Sequence, residues 1–138
     1  MTDKELFLIA KEALENAYAP FSHFRVGAAL LAKDGRVFTG CNVENSSFGA
    51  TICAERTACT KAVSEGAREF KKIAIASDGG TAWPCGICRQ FLYEFAPELI
   101  VITGEDEKHL EKAKLNEILL HGFRLNEELE QVPPESIL

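Results

Sequence analysis

Apolar residues recur along the first eighteen positions at three- and four-residue intervals, at Leu6, Phe7, Ala10, Ala13, Leu14 and Ala17, with charged residues between them. That period is an amphipathic helix, and Thr2 with Glu5 makes a capping box at its start, so the pattern predicts a helix from Thr2 to about Tyr18. Ala19-Pro20-Phe21-Ser22 breaks the period. Two apolar runs follow, Arg25 to Ala32 and Val37 to Cys41, flanking Lys33-Asp34-Gly35-Arg36; an Asp-Gly turn between such runs predicts a β-hairpin. Helical spacing returns from Cys53 to about Glu65 and closes at Gly66, and a buried strand is expected at Ile73-Ala74-Ile75-Ala76. A further helix from about Gly86 to Phe95 is stopped by Pro97, ahead of the strand-like run Leu99-Ile100-Val101-Ile102. From Glu105 to Leu120 the pattern alone predicts one long charged helix. The alternation of helix and strand in the second half predicts a sheet covered by helices, an α/β layered fold.

Composition narrows the classes. No repeat, low-complexity tract or Gly/Ser linker divides the 138 residues, so residues 1–138 are read as a single domain. A domain of this length buries about two thirds of its unfolded-chain surface and needs neither disulfide nor metal merely to fold. Hydrophobic residues at 46% and charged residues at 26% are the usage of a globular protein. No apolar run approaches the roughly twenty residues of a membrane span. Met-Thr-Asp-Lys-Glu has neither the basic start nor the apolar stretch of a secretory signal, so a cytoplasmic location is expected. The five cysteines are then reduced thiols, and an odd number of them points to metal or redox chemistry rather than a disulfide framework. A net charge of −6 argues against a nucleic-acid partner, which draws its affinity from clustered Lys and Arg, and leaves small uncharged substrates open.

Pro84-Cys85-Gly86-Ile87-Cys88-Arg89-Gln90 places two thiols three residues apart at the start of a helix. Alone, this pair fits half of a structural zinc site, a thioredoxin-like redox pair, with Trp83 before Pro84 as an aromatic lead-in, or part of a catalytic metal site. A closed structural site needs four ligands, and the chain has only one such pair. Thr51-Ile52-Cys53-Ala54-Glu55-Arg56 adds a third thiol at another predicted helix start, two residues before a carboxylate. Three thiolates with one open position is a catalytic zinc arrangement, and zinc lowers the pKa of bound water from 15.7 to about 7. A carboxylate that is not a ligand can then move protons. Three thiolates leave the site net negative, and compensating positive potential is expected from the two helix starts and from Arg56 and Arg89. Residues 53 and 55 lie about 200° apart on a helical wheel, so they converge only if Cys53 sits near the N-cap.

Cys-Ala-Glu followed by Pro-Cys-Gly-x-Cys-Arg-Gln resembles the cytidine deaminase family, specifically its small, all-cysteine homotetrameric branch. Tyr18-Ala19-Pro20-Phe21-Ser22-His23-Phe24-Arg25-Val26-Gly27-Ala28-Ala29 is similar to the family's N-terminal motif, and Gly40-Cys41-Asn42-Val43-Glu44-Asn45 to its ribose-binding segment. The resemblance spans nearly the whole chain. It implies a three-layer α/β/α fold with a mixed five-stranded sheet, and one zinc ion per subunit on Cys53, Cys85 and Cys88. It also implies hydrolytic deamination of cytidine and 2′-deoxycytidine in pyrimidine salvage, with Glu55 carrying protons to N3 and to the departing amine. Phe24, Asn42, Val43, Glu44 and Ala54 would bind substrate: the amide and carboxylate of Asn42 and Glu44 take the ribose 3′-hydroxyl, Phe24 packs on base or sugar, and the backbone around Ala54 meets the pyrimidine carbonyl. Arg56 and Gln90 would support the site, and Phe123 would enter a neighbouring subunit's pocket, with His121 beside it. For the end of the chain, the resemblance replaces the long charged helix by an edge strand around Leu110 to Lys114 and a short helix from Asn116 to Leu120.

Two positions depart from the family pattern. Phe48 stands where the family commonly has Tyr, and Trp83 replaces a usually small residue. The remaining thiols, Cys41 and Cys59, are expected to be buried small residues, the Phe set to be mainly core, and the acidic tail after Leu125 to be solvated surface. The alternatives are a deaminase of another aminopyrimidine nucleoside, such as an antibiotic of the blasticidin-S kind, and a non-catalytic zinc or redox module. Asn42, Glu44 and Gln90 favour ordinary cytidine.

Overall fold

The computed structural model describes residues 1–125, and the expectation for the tail lies outside them. Helix α1, Asp3–Ala13, starts with the expected capping box between Thr2 and Glu5. It ends earlier than the period predicts, tightening into a 3₁₀ turn at Leu14–Asn16 before Pro20. Strands β1, Val26–Ala32, and β2, Val37–Cys41, form the hairpin, with Gly35 at φ +97 in its turn. Then come α2, Ala54–Ser64, β3, Phe70–Ser77, α3, Gly86–Tyr93, β4, Ile100–Gly104, β5, Leu110–Lys114, and α4, Leu115–Ile118.

The five strands make one mixed sheet in the order β2-β1-β3-β4-β5. Only β3 and β4 run parallel, joined through α3, and the other neighbours are antiparallel. Side-chain alternation along the central strands feeds two cores. Ala28, Leu30, Ile73, Ile75 and Val101 pack with Ala54, Ala58, Cys59, Ala62 and Leu92 from α2 and α3. Ala29, Leu31, Ala74, Ala76 and Ile102 pack with Leu6, Phe7, Ala10 and Leu14 on the other face. Being covered on both faces explains why β1 and β3 read as continuous apolar runs. The result is the three-layer α/β/α arrangement.

The long charged helix is overturned. Residues 110–114 pair with β4 from Leu110 opposite Gly104 to Lys114 opposite Ile100, and Leu115 is buried where α4 begins. Lys112 and Lys114 on this outer strand leave it a poor template for further pairing.

Close helix–sheet contact positions the site. A side chain at Gly40 would place its Cβ 2.4 Å from both the Ala54 carbonyl and the Ala58 amide nitrogen. Only glycine lets β2 lie this near the first turn of α2.

Candidate active site and metal centre

Cys53 and Cys85 are the N-cap residues of α2 and α3, both in extended backbone, and neither side chain caps its own helix. They face each other instead, with 3.9 Å between the sulfurs. Cys88, one turn into α3, is fully buried, and the three Sγ atoms lie within 4.8 Å of one another. A tetrahedral zinc ion with Zn–S bonds of about 2.3 Å requires sulfurs about 3.8 Å apart, so this donor set fits zinc. The wheel objection disappears because Cys53 precedes the first helical residue, leaving Glu55 free to turn toward the same region.

Positive potential reaches the thiols from two sources. Cys53 and Cys85 sit at helix N-termini, where the macrodipole is positive, and Arg56 Nη2 lies 3.7 Å from Cys53 Sγ and donates to the Thr51 carbonyl at 3.4 Å. A hydrogen bond from Cys88, reinforced by Arg56, lowers Cys53 to about 5, while the same bond and burial raise Cys88. Arg89, expected to act on the thiols, does other work: its guanidinium donates to the carbonyls of Pro84 at 2.7 Å and Ile118 at 2.6 Å, holding the approach to α3 against α4.

Glu55 is only 4% exposed. Burial, with the charge of the Cys53 thiolate adding to it, raises its carboxyl to about 7, where it can both accept and release a proton at neutral pH. It forms part of a cavity of about 220 Å³ whose wall also includes Phe24, Asn42, Glu44, Cys53, Ala54 and Cys85. Seven of the sequence-derived residues therefore meet in one cavity. Asn42 is buried, its Oδ1 accepting from the Val26 amide at 2.9 Å and its Nδ2 donating to the Phe24 carbonyl at 2.8 Å. One N–H and one lone pair remain for a ligand. Glu44 accepts from the Phe21 and Ser22 amides at 2.9 and 3.1 Å and from the Ser22 hydroxyl, the Ser22 contact leading in holding its carboxyl below the usual range.

Cys88, Val43, Arg56, Gln90 and Phe123 are outside the cavity wall. Val43 exchanges backbone hydrogen bonds with Ile52 at 2.9 and 3.0 Å, tying the Asn42–Glu44 segment to the approach to α2. Gln90 Nε2 donates to the Phe123 carbonyl at 2.9 Å, and the Phe123 side chain is 56% exposed. Cys59 is buried as expected, whereas Cys41 is only half-buried. Phe21 and Phe48 also depart from a core reading, pairing at 5.7 Å on the surface. Sequence reasoning missed Ser22, Thr51, Ile75 and Ala82 as wall residues, because nothing in their type or spacing signals a pocket.

Residues 1–103 match the family model for the cytidine and deoxycytidylate deaminase zinc-binding region. The chain belongs to this deaminase family. A cytidine deaminase of Sporosarcina psychrophila is 53% identical over 96 residues, covering 69% of this chain and 71% of that protein. Another, from Halalkalibacterium halodurans, is 45% identical over 121 residues, covering 84% and 92%. The crystal structure of the Burkholderia pseudomallei cytidine deaminase superposes with a TM-score of 0.84 at 44% identity, covering 89% of this chain and all of that one. The deaminase region matched is a zinc-binding one, and Cys53, Cys85 and Cys88 are the thiol group suited to that ion. Among the described residues, no helix is long and apolar enough to cross a membrane.

Proposed function

We propose that this chain, as one domain over residues 1–138, deaminates cytidine and 2′-deoxycytidine hydrolytically to uridine and 2′-deoxyuridine plus ammonia. The observation that carries the reading is a buried carboxyl, Glu55, beside a cluster of three thiols and in one cavity wall with two of them, Cys53 and Cys85, and with Asn42 and Glu44. Cys53, Cys85 and Cys88 would hold one zinc ion, which when bound supplies a water acidic enough to be deprotonated at neutral pH.

The chain's own groups account for the rest. Asn42 and Glu44 fix the sugar hydroxyl, Asn42 through the N–H and lone pair left over from its backbone bonds. That anchoring sets how far the base reaches toward Glu55. Ala54, at the first position of α2, offers an unpaired backbone N–H to the C2 carbonyl. Phe24 lies against the base or sugar. Glu55 takes one proton from the attacking water and passes it to N3, where it stays, and then takes the second from the new C4 hydroxyl and delivers it to the amine leaving C4. Arg56 offsets thiolate charge at Cys53. The aminopyrimidine C–N bond breaks, and the water oxygen becomes the uracil 4-oxygen.

The same reading includes a homotetramer in the cytoplasm, working in pyrimidine salvage. What supports the assembly is the exposure of Phe48 at 75% and of Phe123, both on the surface of this chain and available to a second copy. Val43 and Gln90 hold the substrate segment and the Phe123 backbone, respectively. The test is turnover: zinc-loaded protein given cytidine loses the cytosine absorbance and releases ammonia, and a light-scattering mass gives the assembly.

A further inference from the structure

We propose that Trp83 is a wall of the base subsite and restricts it to cytosine nucleosides unsubstituted at ring position 5. This deepens the deaminase reading and rests on it. The cavity at about 220 Å³ falls below the 300–1,000 Å³ usual for ligand sites, so each wall residue limits what enters. Trp83 lines it and is 36% exposed.

Its place along the wall follows from the chemistry. C4 of the base must lie by Glu55 and the thiols, N3 must face Glu55, and the sugar must face Asn42 and Glu44. The edge left over is the apolar C5–C6 edge, which the apolar part of the wall, Val26, Ile75, Ala82 and Trp83, is suited to meet. C5 is bonded to C4, and Trp83 is two residues from Cys85, so among these residues it belongs at C5.

The backbone on both sides of Trp83 is also held. On one side the Ala82 amide donates to the buried Thr103 hydroxyl at 3.0 Å. On the other, Pro84 is fully buried and its carbonyl accepts from Arg89 at 2.7 Å. Earlier in the same loop, the Ser77 hydroxyl donates to the Gly80 carbonyl at 2.6 Å and accepts from the Gly79 amide at 3.2 Å. Phe24 packs on that loop so tightly that a Cβ at Gly79 would come within 2.5 Å of its ring. The two cavity aromatics therefore share one anchored support, and the backbone that carries Trp83 cannot move aside cheaply for a larger base.

Trp83 is the chain's single tryptophan, which makes its emission a direct reporter of the site. The zinc-loaded protein is titrated with uridine, and kcat and KM are measured for cytidine and 5-bromocytidine in the wild type, Trp83→Phe and Trp83→Ala. We expect a saturable emission change, and a kcat/KM ratio of 5-bromocytidine to cytidine that rises at least about tenfold in Trp83→Ala, mainly through KM, with Trp83→Phe between. Unchanged emission while uridine competes with cytidine turnover overturns the proposal, as does a ratio constant within about twofold in both variants. If neither variant folds, the wild-type titration decides. Absence of cytidine turnover in the zinc-loaded wild type would instead sink the deaminase reading, whatever the emission does.

Discussion

Cys53 and Cys85 occupy the N-cap positions of two different helices, and their sulfurs stand 3.9 Å apart. Two helix starts converge on one point, so backbone amides, rather than added cations alone, offset the charge of the thiolates. Removing one thiol should remove the ion. Cys85→Ala and Cys88→Ala are expected to carry less than about a tenth of the wild-type zinc by elemental analysis, where the wild type carries one ion per chain. Retention of a full complement in either variant would refute the ligand set.

Asn42 has two jobs, and its replacement should show both. Asn42→Ala strands the Val26 amide and the Phe24 carbonyl, costing about 1–3 kcal/mol of unfolding free energy in urea. It should also raise KM for cytidine. An unchanged urea midpoint would show that the amide does not brace the start of β1.

Gly40→Ala tests the packing that aims α2. The new methyl would collide with backbone at Ala54 and Ala58, and the expected cost is about 1–3 kcal/mol, with zinc affinity falling as Cys53 shifts. A variant as stable as the wild type would mean that the strand and helix can separate freely.

Much of this was legible in the chain. Period, capping and the Asp-Gly turn place α1, the hairpin and the central strands, and the Cys-Ala-Glu and Pro-Cys-x-x-Cys segments point to the thiols and carboxyl that meet in the structure. Residues 105–120 misled because Glu, Lys and Leu favour helices, whereas pairing with β4 decided the outcome; strand preference depends on neighbours more than on residue type. Arg89 misled for a different reason. Its proximity in sequence to Cys88 suggested a partner for sulfur, but two backbone carbonyls lie within its reach. The cavity contributions of Ser22 and Thr51 depend on how loops return to the sheet, which no spacing encodes.

A pH-dependent term should come from Asp3, whose carboxylate meets Lys72 at 2.7 Å and Lys112 at 3.4 Å, tying α1 to β3 and β5. The hydrogen bond from Lys72 chiefly lowers its pKa below the ordinary Asp value. A lowered folded-state pKa contributes stability that is present above the unfolded value of about 3.9 and is lost as pH falls through the folded value. Asp3→Asn should therefore reduce Tm slightly at pH 7, by an amount corresponding to about 1 kcal/mol or less, with the gap from wild type closing below about pH 3.9. A gap that persists or widens on acidification would contradict this.

The most direct test of the central claim is the rate of cytidine deamination by zinc-loaded Glu55→Gln beside the zinc-loaded wild type. The wild type should convert cytidine to uridine with release of ammonia, and the variant, with zinc and nucleoside binding intact, should be slower by at least about 10²–10⁴-fold. A wild type that leaves cytidine unchanged, or a variant within a few-fold of it, would contradict the account.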